Sequence, residues 1–271
     1  MSHSNLPYIL ETTELQKQLG QPGLLIIGVV SEQTFVSGHV PGSHLIQPAE
    51  LTCGIKPATG KLPEPDQLAR LFSRVGLKPQ THVVAYDDEG GGWAGRLLWT
   101  LDVLGHQSCA LLNGGLTAWI ADGLPLESGA SKDTASEYKV KINTAPRAQL
   151  ADVMAQLDNP ASVVWDARAA EEYRGDKQTA ERNGHIPGAR NLDWLELMDR
   201  DNGLRLKPLS EIRQRLETLG ITPDKSVITH CQTHHRSGLT YVVGKALGYD
   251  IQAYDGSWSE WGNHPDTPIE R

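Results

Sequence analysis

The chain has 271 residues, with 25 Lys and Arg against 33 Asp and Glu, a formal net charge of −8. A hydrophobic fraction of 39% beside 21% charged residues is a globular composition, so wholesale disorder is excluded. The negative balance excludes a general nucleic-acid binder, which needs a basic surface, and it repels small anions unless one site builds a local positive field.

The opening residues Met1–Pro7 lack a basic stretch followed by an apolar one, so no signal peptide is expected. The longest apolar run, Leu24 to Val30, reads as a buried strand and is too short to cross a bilayer, so no membrane partner is expected. Gly38-His-Val-Pro-Gly42 follows, with the composition of a turn. Leu68, Leu71, Phe72 and Val75 have helical spacing and stop at Gly76. Next come a β-branched run, His82-Val-Val-Ala-Tyr86, an acidic loop, Asp87-Asp-Glu-Gly-Gly-Gly92, and a helix ending near Gly105. Asn113-Gly-Gly-Leu-Thr-Ala-Trp119 closes this half.

The second half repeats the order. Ser162-Val-Val-Trp-Asp166 is strand-like, and Gly184-His-Ile-Pro-Gly188 repeats the turn. Ile212, Leu216 and Leu219 precede Gly220, Ser226-Val-Ile-Thr-His230 is the next strand, and a helix ends near Gly248. Asp255-Gly-Ser-Trp-Ser-Glu-Trp261 answers the segment that ends at Trp119. A period this long exceeds the roughly 20–50 residues of solenoid units, so the repeat is a duplicated domain. Strands alternating with helices imply an α/β fold, two tandem similar domains, each a mainly parallel sheet flanked by helices. The small polar stretch Ser128–Glu137 has linker composition. The expected division is 1–128, a linker 129–142, and 143–271. Two halves able to pack on each other make a monomer the simpler expectation.

Cys53, Cys109 and Cys231 are odd in number and widely spaced, which excludes a disulfide framework and fits a reducing, cytoplasmic setting. In a parallel sheet, ligands bind where strands run into loops and helices. At that position the second copy has Cys231-Gln-Thr-His-His-Arg236, and the first has only carboxylates and glycines. A thiol on a strand-loop-helix turn meets backbone N–H groups and the positive end of a helix dipole, which lower a cysteine pKa from its usual ~8.5. Arg236 adds a permanent positive charge, and His234 and His235 add more when protonated. That combination favours a thiolate nucleophile, Cys231, attacking an anionic donor, with Gln232, Thr233, His234, His235 and Arg236 around the substrate. Cys109 reads as a small buried hydrophobe and Cys53 as incidental. No second Cys/His cluster completes a four-ligand set with His230, Cys231, His234 and His235, so no metal is expected. His39 and His185 occupy matching turns, and one of those copies lacks a thiol, so they read as structural. Trp119, Trp258 and Trp261 read as core anchors.

The duplicated fold, Gly184-His-Ile-Pro-Gly-Ala-Arg190, the strand and loop at Cys231, and Asp255–Trp261 together resemble the two-domain rhodaneses. These are thiosulfate:cyanide sulfurtransferases, related to the mercaptopyruvate sulfurtransferases. The resemblance implies an inactive first domain, with Asp87 standing where the second has Cys231. It also implies a double displacement without cofactor, in which Cys231 takes sulfur from thiosulfate as a persulfide and passes it to a thiophilic acceptor such as cyanide. A protein sulfur acceptor fits the same loaded cysteine. Related enzymes often carry an anion-binding arginine at the position of Glu172, before Tyr173, so this chain fits mercaptopyruvate less well. Asp166 and Arg168 match the family in a structural role, and Arg182 is a further candidate for the site. The alternative of a cysteine phosphatase is weakened by loop length: four residues lie between Cys231 and Arg236, one fewer than that motif needs.

Overall fold

Strands buried on both faces need near-continuous apolar runs, and Leu24–Val29 and His82–Tyr86 supply them, the latter buried throughout. In the computed structural model, residues 6–132 and 134–271 are described; Met1–Asn5, part of the stretch read for a signal, and Asp133 of the expected linker lie outside the described residues. The chain divides into two compact units. The first comprises the described residues of Met1–Leu51, Pro63–Asn143 and Asp199–Leu206; the second comprises Thr52–Leu62, Thr144–Met198 and Lys207–Arg271.

The first unit has a five-stranded sheet in the spatial order Ile9–Leu10, Cys109–Leu112, His82–Tyr86, Leu24–Val29, His44–Ile46. Every pairing in it is parallel. The second unit repeats that order with Arg147–Ala148, Ile251–Tyr254, Ser226–His230, Ser162–Asp166 and Arg190–Asn191, again all parallel. The third strand of each order is therefore central, and it is the strand that leads into Asp87 or Cys231.

Repetition extends to side chains. Trp119 donates from Nε1 to the Pro125 carbonyl at 2.8 Å, and Trp261 does the same to Pro268 at 2.8 Å. Both indoles, with Trp258, lie in the apolar cores. His39 stacks on Phe35 at 3.8 Å and His185 on Tyr173 at 3.7 Å. Each of these histidines is buried and bonds through Nδ1 to the carbonyl of the aromatic residue it stacks on. The Gly-His-x-Pro-Gly motif is thus turn and packing chemistry in both units.

Helix Pro65–Arg74 buries Leu68, Leu71 and Phe72, and helix Leu209–Thr218 buries Ile212 and Leu216. Gly76 and Gly220, just beyond them, have φ of 79° and 76°, the left-handed turn that glycine reaches without a Cβ penalty.

The contiguous division expected from sequence differs from these units at two segments. Arg205 and Leu206 bond to Asp122 and to the Asn113 side chain, which holds Asp199–Leu206 in the first unit. Leu62 N donates to Asp255 Oδ2 at 3.0 Å and Lys61 pairs with Glu260, which holds Thr52–Leu62 in the second. The described residues 129–132 and 134–142 belong to the first unit. Leu45 N donates to Ser131 Oγ at 3.0 Å, and Ser136 N to the Ser73 carbonyl at 2.9 Å. Among the described residues no helix is long and apolar enough to cross a membrane.

Candidate active site

Strand Ser226–His230 delivers Cys231 to the start of a short loop, and helix Arg236–Ala246 begins five residues later. The thiol is 1% exposed. Behind the loop, Trp258 N donates to the Cys231 carbonyl at 3.0 Å and Ser259 N to the Gln232 carbonyl at 2.9 Å. Cys231 N in turn donates to Ser257 Oγ at 3.4 Å. The Asp255–Trp261 segment therefore does more than fill the core; it holds the loop's backbone, a role its sequence did not disclose.

Burial pushes the Cys231 thiol up, but the Arg236 charge, the Ser237 hydroxyl and N–H, and the His235 charge outweigh it and hold it below its ordinary range. Ser237 was not among the residues expected from sequence. Its hydroxyl is also 2.8 Å from His234 Nδ1. His234 has φ of 54° and is fully buried. The left-handed backbone turns its ring inward to Ser237, which in turn bonds to Cys231, so His234, expected beside the substrate, is linked to the thiol through Ser237. His235 stays partly exposed, with its ring edge-on to Trp194 at 5.5 Å.

Arg236 does not stand alone. Its Nη1 and Nη2 donate to Glu172 Oε2 and Oε1 at 2.6 and 2.9 Å, a bidentate pair. Burial raises the Glu172 carboxyl, yet the Arg236 hydrogen bonds and charge bring it below the ordinary range. Deeper in, Arg168 pairs with Asp166, reaches the Gly184 carbonyl at 2.8 Å, and lies 4.3 Å over the Trp258 ring. Burial lowers the pKa of His230, which lies beside Asp166. Arg182 is committed elsewhere: it donates to the carbonyls of Thr267, Trp261 and His264, tying the chain near its end. Its expected approach to the site gives way to that anchoring.

Gln232 and Thr233 face outward on a cavity of ≈ 590 Å³, whose wall also includes Lys56, Thr59, Thr179 and Glu181. Gln232 Nε2 donates to the Thr179 carbonyl at 2.8 Å, so its amide braces the rim. Sequence reasoning did not bring Thr52–Leu62 here; nothing local in that segment signals which loop it will flank. Among the described residues no cluster of three or more His, Cys, Asp or Glu is arranged to hold a metal ion.

The first unit shows what the same turn does with a carboxylate. Asp87 Oδ1 accepts from the N–H groups of Glu89, Gly90 and Gly91 at 3.1, 3.1 and 2.8 Å. Its Oδ2 accepts from Ala94 N at 3.0 Å. The turn is a ready anion cradle, and here the chain's own side chain fills it.

A family model for the rhodanese-like domain matches residues 11–122 and again 149–264. The chain is 46% identical to a thiosulfate sulfurtransferase of Azotobacter vinelandii, over 98% of either chain. It is equally identical, over 98% of both chains, to a thiosulfate sulfurtransferase of Pseudomonas aeruginosa. Among solved structures it resembles SseA from Escherichia coli, described as a 3-mercaptopyruvate sulfotransferase of the rhodanese fold. That match has a TM-score of 0.80 and 26% identity, covering 93% of this chain and 99% of the other.

Proposed function

The chain belongs to the rhodanese family, and on that premise we propose that it transfers the sulfane sulfur of thiosulfate to a thiophilic acceptor through a persulfide on Cys231. The observation that carries this reading is a buried thiol held below its ordinary range by Arg236, Ser237 and His235 at the start of a helix. In the first step the Cys231 thiolate attacks the outer sulfur of thiosulfate. A new S–S bond forms to cysteine, the S–S bond of thiosulfate breaks, and sulfite leaves with the electron pair. In the second step cyanide attacks the terminal sulfur of the persulfide, thiocyanate departs, and the thiolate is restored. Neither step needs an external oxidant or reductant. The groups that lower the thiol also suit the negative persulfide, because Ser237 donates toward the same place.

Against phosphate-ester hydrolysis stands the tight five-residue loop Cys231–His235, and against mercaptopyruvate stands Glu172 at the family's anion-binding position. The test is mass spectrometry of the protein after thiosulfate, then after cyanide. The expected result is a gain of one sulfur on Cys231, lost with cyanide and absent in Cys231→Ala. Sulfur on Cys53 or Cys109 instead, or hydrolysis of an aryl phosphate without any persulfide, would overturn the reading. A persulfide that resists cyanide but transfers to a protein acceptor would recast the chain as a sulfur carrier.

A further inference from the structure

The cavity outside Gln232 and Thr233 is lined within the second unit by a loop that comes from early in the chain. That loop is closed on itself. Cys53 N donates to the Lys61 carbonyl at 2.7 Å and Gly54 N to the Thr59 carbonyl at 3.1 Å, which leaves Ile55–Ala58 as its tip. Its root is pinned by the Lys61–Glu260 ion pair and by Leu62 N on Asp255. Gly60 lies so close to the catalytic loop that a Cβ there would overlap the Thr233 carbonyl. The loop is thus held against the catalytic loop at Thr233, and Lys56 is the one cation among the residues lining the cavity beside it.

Arg236 does not line that cavity and cannot serve a dianion arriving there with its full charge. Glu172 already takes two of its N–H donors and balances its charge, while its remaining influence falls on Cys231. His235 adds charge only when protonated. Lys56 is exposed and makes no ion pair among the described residues, so its ammonium is available to a ligand. Glu181, on the same wall, works against anion entry.

We propose that Lys56 is the donor-recruiting cation: an anion-positioning residue that draws thiosulfate into the cavity walled by Gln232 and Thr233, the two residues that follow Cys231. The inference rests on the thiosulfate reading and adds to it a residue outside the catalytic loop. Lys56 makes no bond to the reacting sulfur; it acts on capture.

The experiment is steady-state kinetics on the full chain with thiosulfate and cyanide, for Lys56→Gln, Lys56→Glu, Lys56→Arg and Glu181→Gln. Lys56→Gln should raise the KM for thiosulfate roughly three- to tenfold with kcat almost unchanged. Lys56→Glu should raise it further, Lys56→Arg should restore it, and Glu181→Gln should lower it. Added salt should compress all these differences, because the interaction is screened. An unchanged thiosulfate KM in both Lys56→Gln and Lys56→Glu, with wild-type protein loading sulfur normally, would overturn the role of Lys56. If wild-type Cys231 takes up no sulfur from thiosulfate, the proposed function and this inference fall together.

Discussion

Arg236 and Glu172 are joined by two parallel hydrogen bonds, at 2.6 and 2.9 Å, at the first residue of the helix that follows the Cys231 loop. The pair sets how much positive charge the thiolate feels. Glu172 is buried and Arg236 is mostly so, which keeps solvent from screening either charge fully.

Glu172→Gln should therefore lower the Cys231 pKa further, because the guanidinium loses its counter-charge. Haloacetamide alkylation of Cys231 across pH, followed by peptide mass, measures it. The same change should cost about 1–3 kcal/mol of stability at neutral pH, since a charged bidentate bond is lost. Glu172 is held below its ordinary value of 4.5, so its contribution is present above that pH and is lost as pH falls through its folded value. Variant and wild type should converge in stability under acid.

Ser237→Ala should raise the Cys231 pKa, because a hydroxyl donor to the thiolate is lost, and slow sulfur loading near neutral pH by up to about tenfold. Loading should recover as pH rises. A merely structural defect would leave the rate low at every pH, so a single-turnover pH profile separates the two.

The repeat was legible because its marks are local: β-branched runs for the central strands, Gly76 and Gly220 beyond their helices, and paired tryptophan segments. The catalytic loop was legible for the same reason, since Cys231 to Arg236 are consecutive. What stayed hidden lies far apart in sequence. Nothing near Glu172 shows that it will clasp Arg236, and nothing in Thr52–Leu62 shows that it will join the second unit. The inward turn of His234 toward Ser237 was not legible either, because residue type does not report a φ of 54°. The loop at Asp87 shows only carboxylates and glycines in sequence, whereas its backbone is an anion cradle already filled from within.

Asp87 is fully buried, and burial pushes its pKa from 3.8 up to about 6 against the pull of its backbone donors. Between those values the folded chain keeps a proton that the unfolded chain has released. Stability from this group is thus full below pH 3.8 and is lost as pH rises through about 6. Asp87→Asn removes that slope, so wild type should lose stability relative to the variant by up to ~1.4 kcal/mol per pH unit across the window. Around neutral pH the variant carries its own cost, because its amide N–H₂ would confront a backbone N–H donor, worth about 1–3 kcal/mol. Urea denaturation at a series of pH values between 4 and 7.5 resolves both effects. A pH-independent difference would show that Asp87 titrates normally.

Gly60 offers the sharpest check on the wall beside the catalytic loop. A Cβ at this position would overlap the Thr233 backbone carbonyl, and backbone cannot rotate away as a long side chain can. Either Thr52–Leu62 must lift or Thr233 must shift, and Thr233 is only two residues from Cys231. Because the thiol depends on Ser237 and Arg236 in one geometry, a displacement of about 1 Å should slow sulfur loading on the order of a hundredfold. The sheet does not depend on this contact, so the far-UV circular dichroism of Gly60→Ala should match wild type. Wild-type loading kinetics in a folded Gly60→Ala protein would show that the loop is free to move and that its contact with Thr233 does not shape the site.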